Sequence, residues 1–263
     1  MRYYVVADIH GFYTELRKAL LASGFFADNE PHKLIVCGDM MDRGKETLEM
    51  QDFMMELLKN GELIFVRGNH EDLLECMLED IEYNLWDFAM GNSYHISNGT
   101  WDTALRLAGM KNDEALTYYR DMIFKTRSSP FYRELMRASK DYFETEHYIF
   151  VHGWIPAKAE APIWAPRYKT YSYNPDWRNA GKNDWFAARW QNGMNLASRF
   201  GVTEPGKTIV CGHYHTSWGH SKNGKGSEWG PDACFEPYRA EGIIALDACT
   251  SHSGRVNCIV VED

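Results

Sequence analysis

One local pattern recurs along the 263-residue chain and constrains its fold more than any other feature. A short run of β-branched and aromatic residues stops abruptly at a polar loop in RYYVVADIHG (2–11), KLIVCGDMMDRG (33–44), ELIFVRGNHE (62–71), HYIFVHGW (147–154) and KTIVCGHYH (207–215). Each run has the length and composition of a buried strand, and most are followed by a stretch able to form a helix. Leu, Met and Phe recur at helical spacing over 13–23, 45–59 and 71–84, and 100–138 reads as helical with a turn at Ser128-Ser129-Pro130. Two more strand-like runs, GIIALDA (242–248) and RVNCIVVE (255–262), follow near the end. Strands alternating with helices predict an α/β fold, in which functional groups gather beyond the carboxyl ends of the strands.

The five loops offer Asp8, His10, Asp39, Asn69, His152, His213 and His215. Imidazole, carboxylate and amide donors suit borderline divalent ions such as Mn, Fe or Zn, while the scarcity of thiolate argues against a closed structural zinc. Seven donors are too many for one tetrahedral ion but fit two ions sharing a carboxylate. Two such ions about 3.5–4 Å apart activate water and neutralise phosphoryl oxygens. A structural role is the better reading for any single histidine: His32, His95 and His220 read as surface or packing residues, His147 as the opening of a strand, and His252 as part of a turn. Scattered core histidines, however, have no reason to fall repeatedly at strand ends. Glu71 reads as a helix N-terminal carboxylate that complements the dipole and holds Arg67 or Arg43.

A formal charge of -9 argues against binding to a nucleic-acid polymer, so a small anionic substrate needs local positive charge. No apolar run reaches the roughly 18 residues of a membrane span, and an acidic residue comes too early for a signal peptide, so a cytoplasmic setting is expected. The six cysteines, Cys37, Cys76, Cys211, Cys234, Cys249 and Cys258, are scattered and read as reduced. A single domain over 1–263 is expected. Two irregular segments, 154–184 and 219–242, are read as walls of the site, the first rich in Trp, Tyr and Pro and the second in Gly and Lys.

The motifs DIHG (8–11), GDMMDRG (38–44), GNHE (68–71), HG (152–153) and GHYH (212–215) resemble the signature of the phosphoprotein phosphatase branch of the calcineurin-like metallophosphoesterases. The resemblance implies a four-layer α/β/β/α sandwich and two divalent metal ions, with Mn expected in vitro and Fe or Zn as other candidates. It makes Asp8, His10 and Asp39 ligands of a first ion, and Asp39, Asn69, His152 and His213 ligands of a second. It makes His70 the general acid, with Asp42 hydrogen-bonded to it, and gives phosphate binding to Arg43, with Asn69 beside it. A second phosphate-binding arginine is expected at Arg189, with Arg178 and Arg167 as fallbacks. His215 departs from this branch and resembles the wider superfamily, where that position ligates the first ion. ADIHG replaces the branch's usual GDxHG, a mild change because the glycine is not a ligand.

The expected activity is therefore phosphomonoester hydrolysis of the serine/threonine protein phosphatase type, by a monomer acting on a phosphorylated protein or small phosphoester. The alternative is hydrolysis of dinucleoside polyphosphates, other nucleotides or phosphodiesters, with Trp164, Tyr168, Tyr171, Tyr173 or Trp177 stacking on a base. Glu71 in GNHE resembles the protein phosphatase side of that choice. A catalytically dead binding module would require the loss of a ligand or acid, and none is lost.

Overall fold

The computed structural model describes residues 1–89, 94–161 and 169–263, with only the backbone described within 84–89. Its strands are β1 (Arg2–Val6), β2 (His32–Cys37), β3 (Leu63–Val66), β4 (Phe143–Glu144), β5 (Tyr148–Phe150), β6 (Lys158–Glu160), β7 (Thr170–Ser172), β8 (Thr208–Cys211), β9 (Tyr238–Ala240), β10 (Ile243–Ala245) and β11 (Cys258–Glu262). One sheet has the order β11-β1-β2-β3, with β1, β2 and β3 parallel and β11 antiparallel at the edge. A second has the order β4-β5-β8-β10-β9, again with a parallel centre and antiparallel edges. β6 and β7 pair separately.

The central parallel strands are apolar on both faces because both faces are covered, while β6, β7, β9 and β11 leave positions exposed. In β1, Tyr3 and Val5 face Phe150, Val210 and Ile244 of the other sheet, while Tyr4 and Val6 face the helices α1 (Tyr13–Ala22), α2 (Thr47–Lys59) and α3 (Asn69–Ala89). The second sheet alternates in the same way. Phe150 and Val210 point between the sheets, whereas Ile149, Ile209 and Ile243 meet Trp177, Trp185, Met194 and Leu196 on the outer side. Period-two alternation in strands buried on both sides thus builds two sheets face to face with helices outside each, the expected four-layer α/β/β/α sandwich.

Residues 100–138 divide into helices Thr100–Ala108, Asn112–Thr117 and Tyr119–Ser128 followed by shorter turns, the first ending where Gly109 adopts a left-handed conformation (φ 63°). The segments read as irregular are more regular than expected. Residues 154–184 contain the β6–β7 pair and the start of helix Lys182–Arg189, and 219–242 contain most of helix Thr216–Lys222 and all of β9. Strands of three residues carry too little periodicity to register in sequence, even where they pair with a near neighbour in the chain, as β6 does with β7 and β9 with β10. No helix among the described residues is long and apolar enough to cross a membrane.

Candidate metal centre

β1, β2, β3, β5, β8 and β10 run parallel within their sheets, and their loops converge at one edge of the sandwich. Non-glycine residues with positive φ among the described residues are Asp8, His10, Asp39, Asp42, Arg43, His213 and Cys249, at 49° to 73°. All of them lie in loops that follow a parallel strand. Left-handed backbone costs a side-chain-bearing residue about 1–3 kcal/mol and persists where the surroundings over-determine it. Here loop braces loop: His10 N–H donates to Asp39 O (2.9 Å), Gly11 N–H to Met40 O (2.8 Å) and Gly44 N–H to His10 O (2.8 Å). The buried Glu71 carboxylate completes the bracing by accepting from the N–H groups of Asp39 (3.1 Å), Met40 (3.0 Å) and Gly68 (2.7 Å).

Asp39 lies at the middle of this arrangement. Its Oδ1 is 3.3 Å from His152 Nε2, and its Oδ2 is 3.7 Å from His10 Nε2 and 3.8 Å from His70 Nε2. Two groups of donor atoms close enough to hold an ion share it: His10, Asp39 and His70 form one, and Asp39, His152 and His213 the other. His10 Nδ1–H donates to Met41 O (3.0 Å) and His152 Nδ1–H to Cys37 O (2.9 Å), so both neutral rings turn an Nε2 lone pair to the centre. His152 Nε2 also lies 2.7 Å from Asn69 Oδ1. Two acceptor atoms this close fit a site that takes a cation. Asp8 belongs to neither group, but it is buried beside them, and both oxygens of its carboxylate accept the backbone N–H of His213 at 3.0 Å.

The electrostatics divide the four imidazoles. Burial pushes His10, together with Arg43, and His152 below the ordinary histidine value, and pushes His213 down to about 3. His70 goes the other way: burial opposes its charge, but the Asp39 and Asp42 carboxylates outweigh that and hold its pKa up. Asp42 Oδ2 meets His70 Nδ1 at 2.6 Å and also accepts from Thr100 Oγ1 (2.7 Å), while Asp42 N–H donates to Thr103 Oγ1 (3.1 Å). For Asp39, burial works against ionisation, yet the surrounding imidazoles keep its carboxyl below the usual range.

A family model described as calcineurin-like phosphoesterase matches residues 1–217. The chain belongs to that family. It is 26% identical over 138 residues to the bis(5'-nucleosyl)-tetraphosphatase PrpE [asymmetrical] of Bacillus subtilis, a match covering 50% of this chain and 52% of that protein. It is 36% identical over 98 residues to serine/threonine-protein phosphatase 2 of Salmonella typhimurium, covering 37% of this chain and 38% of that one. The chain thus spans about half the length of the first of these curated relatives. Among solved structures, the cold-active protein-tyrosine phosphatase of a psychrophilic Shewanella species superposes with a TM-score of 0.51 at 15% identity, over 100% of this chain and 75% of that one. At that identity the likeness is one of fold.

Within this family member, Arg43 reaches the centre, its Nη1 2.8 Å from His10 Nε2 and its Nη2 3.1 Å from His70 Nε2. Arg189 is buried and already engaged: Nη1 donates to Asp72 Oδ2 (2.9 Å) and Nη2 bonds Asp141, while its charge is felt at His152. Of the fallbacks, Arg178 pairs with Glu144 and Glu204, and Arg167 lies outside the described residues. His215 sits apart from the donor groups. Alternate residues of an extended segment would point His215 the same way as His213, but His213 is left-handed (φ 65°). The His215 ring instead meets Trp229 (4.4 Å between centroids), Ser217 and Glu228.

Glu71 holds neither Arg67, which pairs with Asp72 and Glu75, nor Arg43. Thr100, Thr103 and Asp247 were not singled out from sequence. The two threonines approach Asp42 only because helix Thr100–Ala108 packs against the loop. Asp247 did offer a signal, since it ends the sixth apolar run just as Asp8 and Asp39 follow theirs. Of the proposed base-stacking residues, Trp164 and Tyr168 lie outside the described residues. Trp177 is fully buried with its Nε1 on Glu204 (2.9 Å), Tyr173 OH donates to the same carboxylate (2.7 Å), and Tyr171 packs on Phe200. These three read as packing residues of the wall.

Proposed function

We propose that this chain is a dinuclear-metal phosphoester hydrolase, a phosphomonoesterase of the serine/threonine protein phosphatase type. The observation that carries the reading is the split among the buried imidazoles around one shared carboxylate: His10, His152 and His213 are kept neutral, as ligands must be, and His70 is kept basic, as a proton donor must be. Asp8, His10 and Asp39 would hold one divalent ion, and Asp39, Asn69, His152 and His213 the other. His215 enters this proposal as the outermost donor, since its ring would have to leave Glu228. Two ions bound there supply Lewis acidity that activates water and offsets phosphoryl charge, with manganese proposed as the effective metal in vitro.

The chain's own residues supply the rest. Arg43, a planar fork within reach of both His10 and His70, grips two phosphoryl oxygens in one geometry. Asp42 fixes the His70 ring through Nδ1, leaving Nε2 to deliver a proton to the departing alkoxide. Thr100 and Thr103 hold Asp42 in place. Arg189 takes the supporting place its ion pairs suggest, fixing Asp72 at the start of α3, which carries Asn69 and His70.

Nucleotide hydrolysis is the second reading, favoured by the likeness to the bis(5'-nucleosyl)-tetraphosphatase of Bacillus subtilis. A rate comparison with purified protein and manganese separates the two. Phosphoserine and phosphothreonine peptides are expected to exceed dinucleoside tetraphosphate and a phosphodiester in kcat/KM, and the reverse order would overturn the phosphatase reading. Asp39→Asn is expected to lose bound metal and turnover together; two tightly held ions in that variant would remove Asp39 from the bridge.

A further inference from the structure

The loop after β10 is the one parallel-strand loop to which the proposed function gives no role, and it ends on a buried acid. Ala245 of β10 pairs with Cys211 of β8, and Leu246 N–H continues the ladder to Cys211 O (2.9 Å), so Asp247 comes off its strand level with His213. The loop is tied to its neighbours. Thr216 N–H donates to Asp247 O (2.8 Å), and Thr250 Oγ1 donates to Asp8 O (3.0 Å). Cys249, two residues on, shares the left-handed conformation of Asp8, His10, Asp39 and His213.

Asp247 is 7% exposed, and its Oδ1 accepts the Cys249 N–H at 2.7 Å. Oδ2 makes no hydrogen bond among the described residues. The charges of Arg43, Asp39 and His70 are felt at Asp247, and its own is felt at Asp8. Three carboxylates, Asp8, Asp39 and Asp247, are therefore buried at one edge of the sandwich, with the guanidinium of the exposed Arg43 acting on them. Buried like charges repel strongly unless cations join them.

We propose that Asp247 is a positioning residue of the metal centre, which raises its affinity for divalent cations by placing a further negative charge and a free acceptor oxygen on the Asp8 side. This rests on the metal-hydrolase reading above. Asp247 lies outside both donor groups and acts by its charge, so its removal weakens cation binding without abolishing it.

The test uses the full chain stripped of metal, as wild type and Asp247→Asn, with manganese titrated by calorimetry and thermal unfolding followed without metal. Asn keeps an oxygen for the Cys249 N–H, so the turn stays intact. The manganese dissociation constant is expected to rise about 10–100-fold, the usual span for groups that act behind the ligands. The metal-free variant is expected to melt at the same or a higher temperature than metal-free wild type, because a like charge beside Asp8 and Asp39 is gone. A merely structural residue gives the opposite pair, a lower metal-free melting temperature with unchanged affinity, and that result overturns the inference. Asp247→Ser, uncharged and smaller, carries the same affinity expectation should the Asn chain fail to fold. If wild type itself binds no manganese, the metal reading fails and takes this inference with it; if wild type binds and Asn binds equally, only the role of Asp247 falls.

Discussion

At the scale of single residues, the proposed acid and the loop anchor make opposite predictions. His70 is held by Asp42 through Nδ1, and its chemistry is needed only when the leaving group is a poor one. His70→Asn is expected to retain its metal and lose about 10²–10⁴-fold in rate on alkyl phosphates, with a smaller loss on p-nitrophenyl phosphate, whose phenolate departs unaided. Asp42→Asn should act in the same direction, and the double variant should be little worse than His70→Asn, because the pair works as a unit. Equal losses on both substrate classes, with metal also reduced, would show that His70 is structural. Glu71 touches no reacting atom in this scheme; it satisfies N–H groups of Asp39, Met40 and Gly68. Glu71→Ala strands those buried donors at about 1–3 kcal/mol each before relaxation, so the prediction is a large drop in melting temperature even without metal. Glu71→Gln retains one acceptor oxygen and should fall between Ala and wild type in thermal unfolding.

Among the elements, the strand-end loops work because two of them meet with no side chain between. A Cβ at Gly212, just past β8, would overlap Asp8 Oδ2, and one at Gly68, just past β3, would overlap Asp39 Oδ1. Neither glycine has positive φ, so here the requirement is for close approach and not for backbone freedom. Gly212→Ala must therefore displace the Asp8 carboxylate or its own loop. Its expected phenotype is reduced metal content by elemental analysis together with lower activity, with the far-UV circular dichroism of the sheets retained. Normal metal content in that variant would mean that Asp8 tolerates a shift, and would weaken its place in the proposed ligand set.

Over the whole molecule, the wall segment is pinned to the second sheet by Arg178, which bridges Glu144 of β4 and Glu204, the latter also accepting from Tyr173 and Trp177. The Arg178 guanidinium, with Lys207, holds the Glu144 carboxyl at about 2, below its ordinary 4.5. A carboxyl depressed on folding contributes stability that is complete above its unfolded value and is lost as pH falls through the folded one. Metal-free wild type should thus lose stability between pH 4.5 and about 2 partly through this group, and Arg178→Gln should flatten that part of the acid limb in melts recorded against pH. Above pH 5 the variant should differ from wild type by a constant offset. Loading the centre acts on a larger scale: manganese at about 100 times its dissociation constant should stabilise the chain by about 2.7 kcal/mol, or roughly 5–10 °C, and chelation should reverse the gain.

Much of this was legible in the order of the residues because it is local. Apolar runs that stop at a polar loop determine where strands end, as at Val6, Cys37 and Val66, and a chain that repeats the device must collect the loop residues at one edge. The alternation of strands with helices gave an α/β fold, while the four-layer sandwich came only as what the family resemblance implies. What tertiary structure alone decided depends on groups far apart in sequence, whose pairing no local pattern encodes. Thr100 reaches Asp42 across 58 positions, and Arg189 reaches Asp72 across 117, an ion pair that the expected phosphate role did not include. His215 misses the donor groups because one left-handed residue, His213, redirects the chain before it. Glu71 became a backbone anchor because the Asp39 loop folds over the start of α3. Residue type and spacing assembled the donors, but their protonation, partners and direction were settled by burial and by contacts that exist only once both sheets are in place.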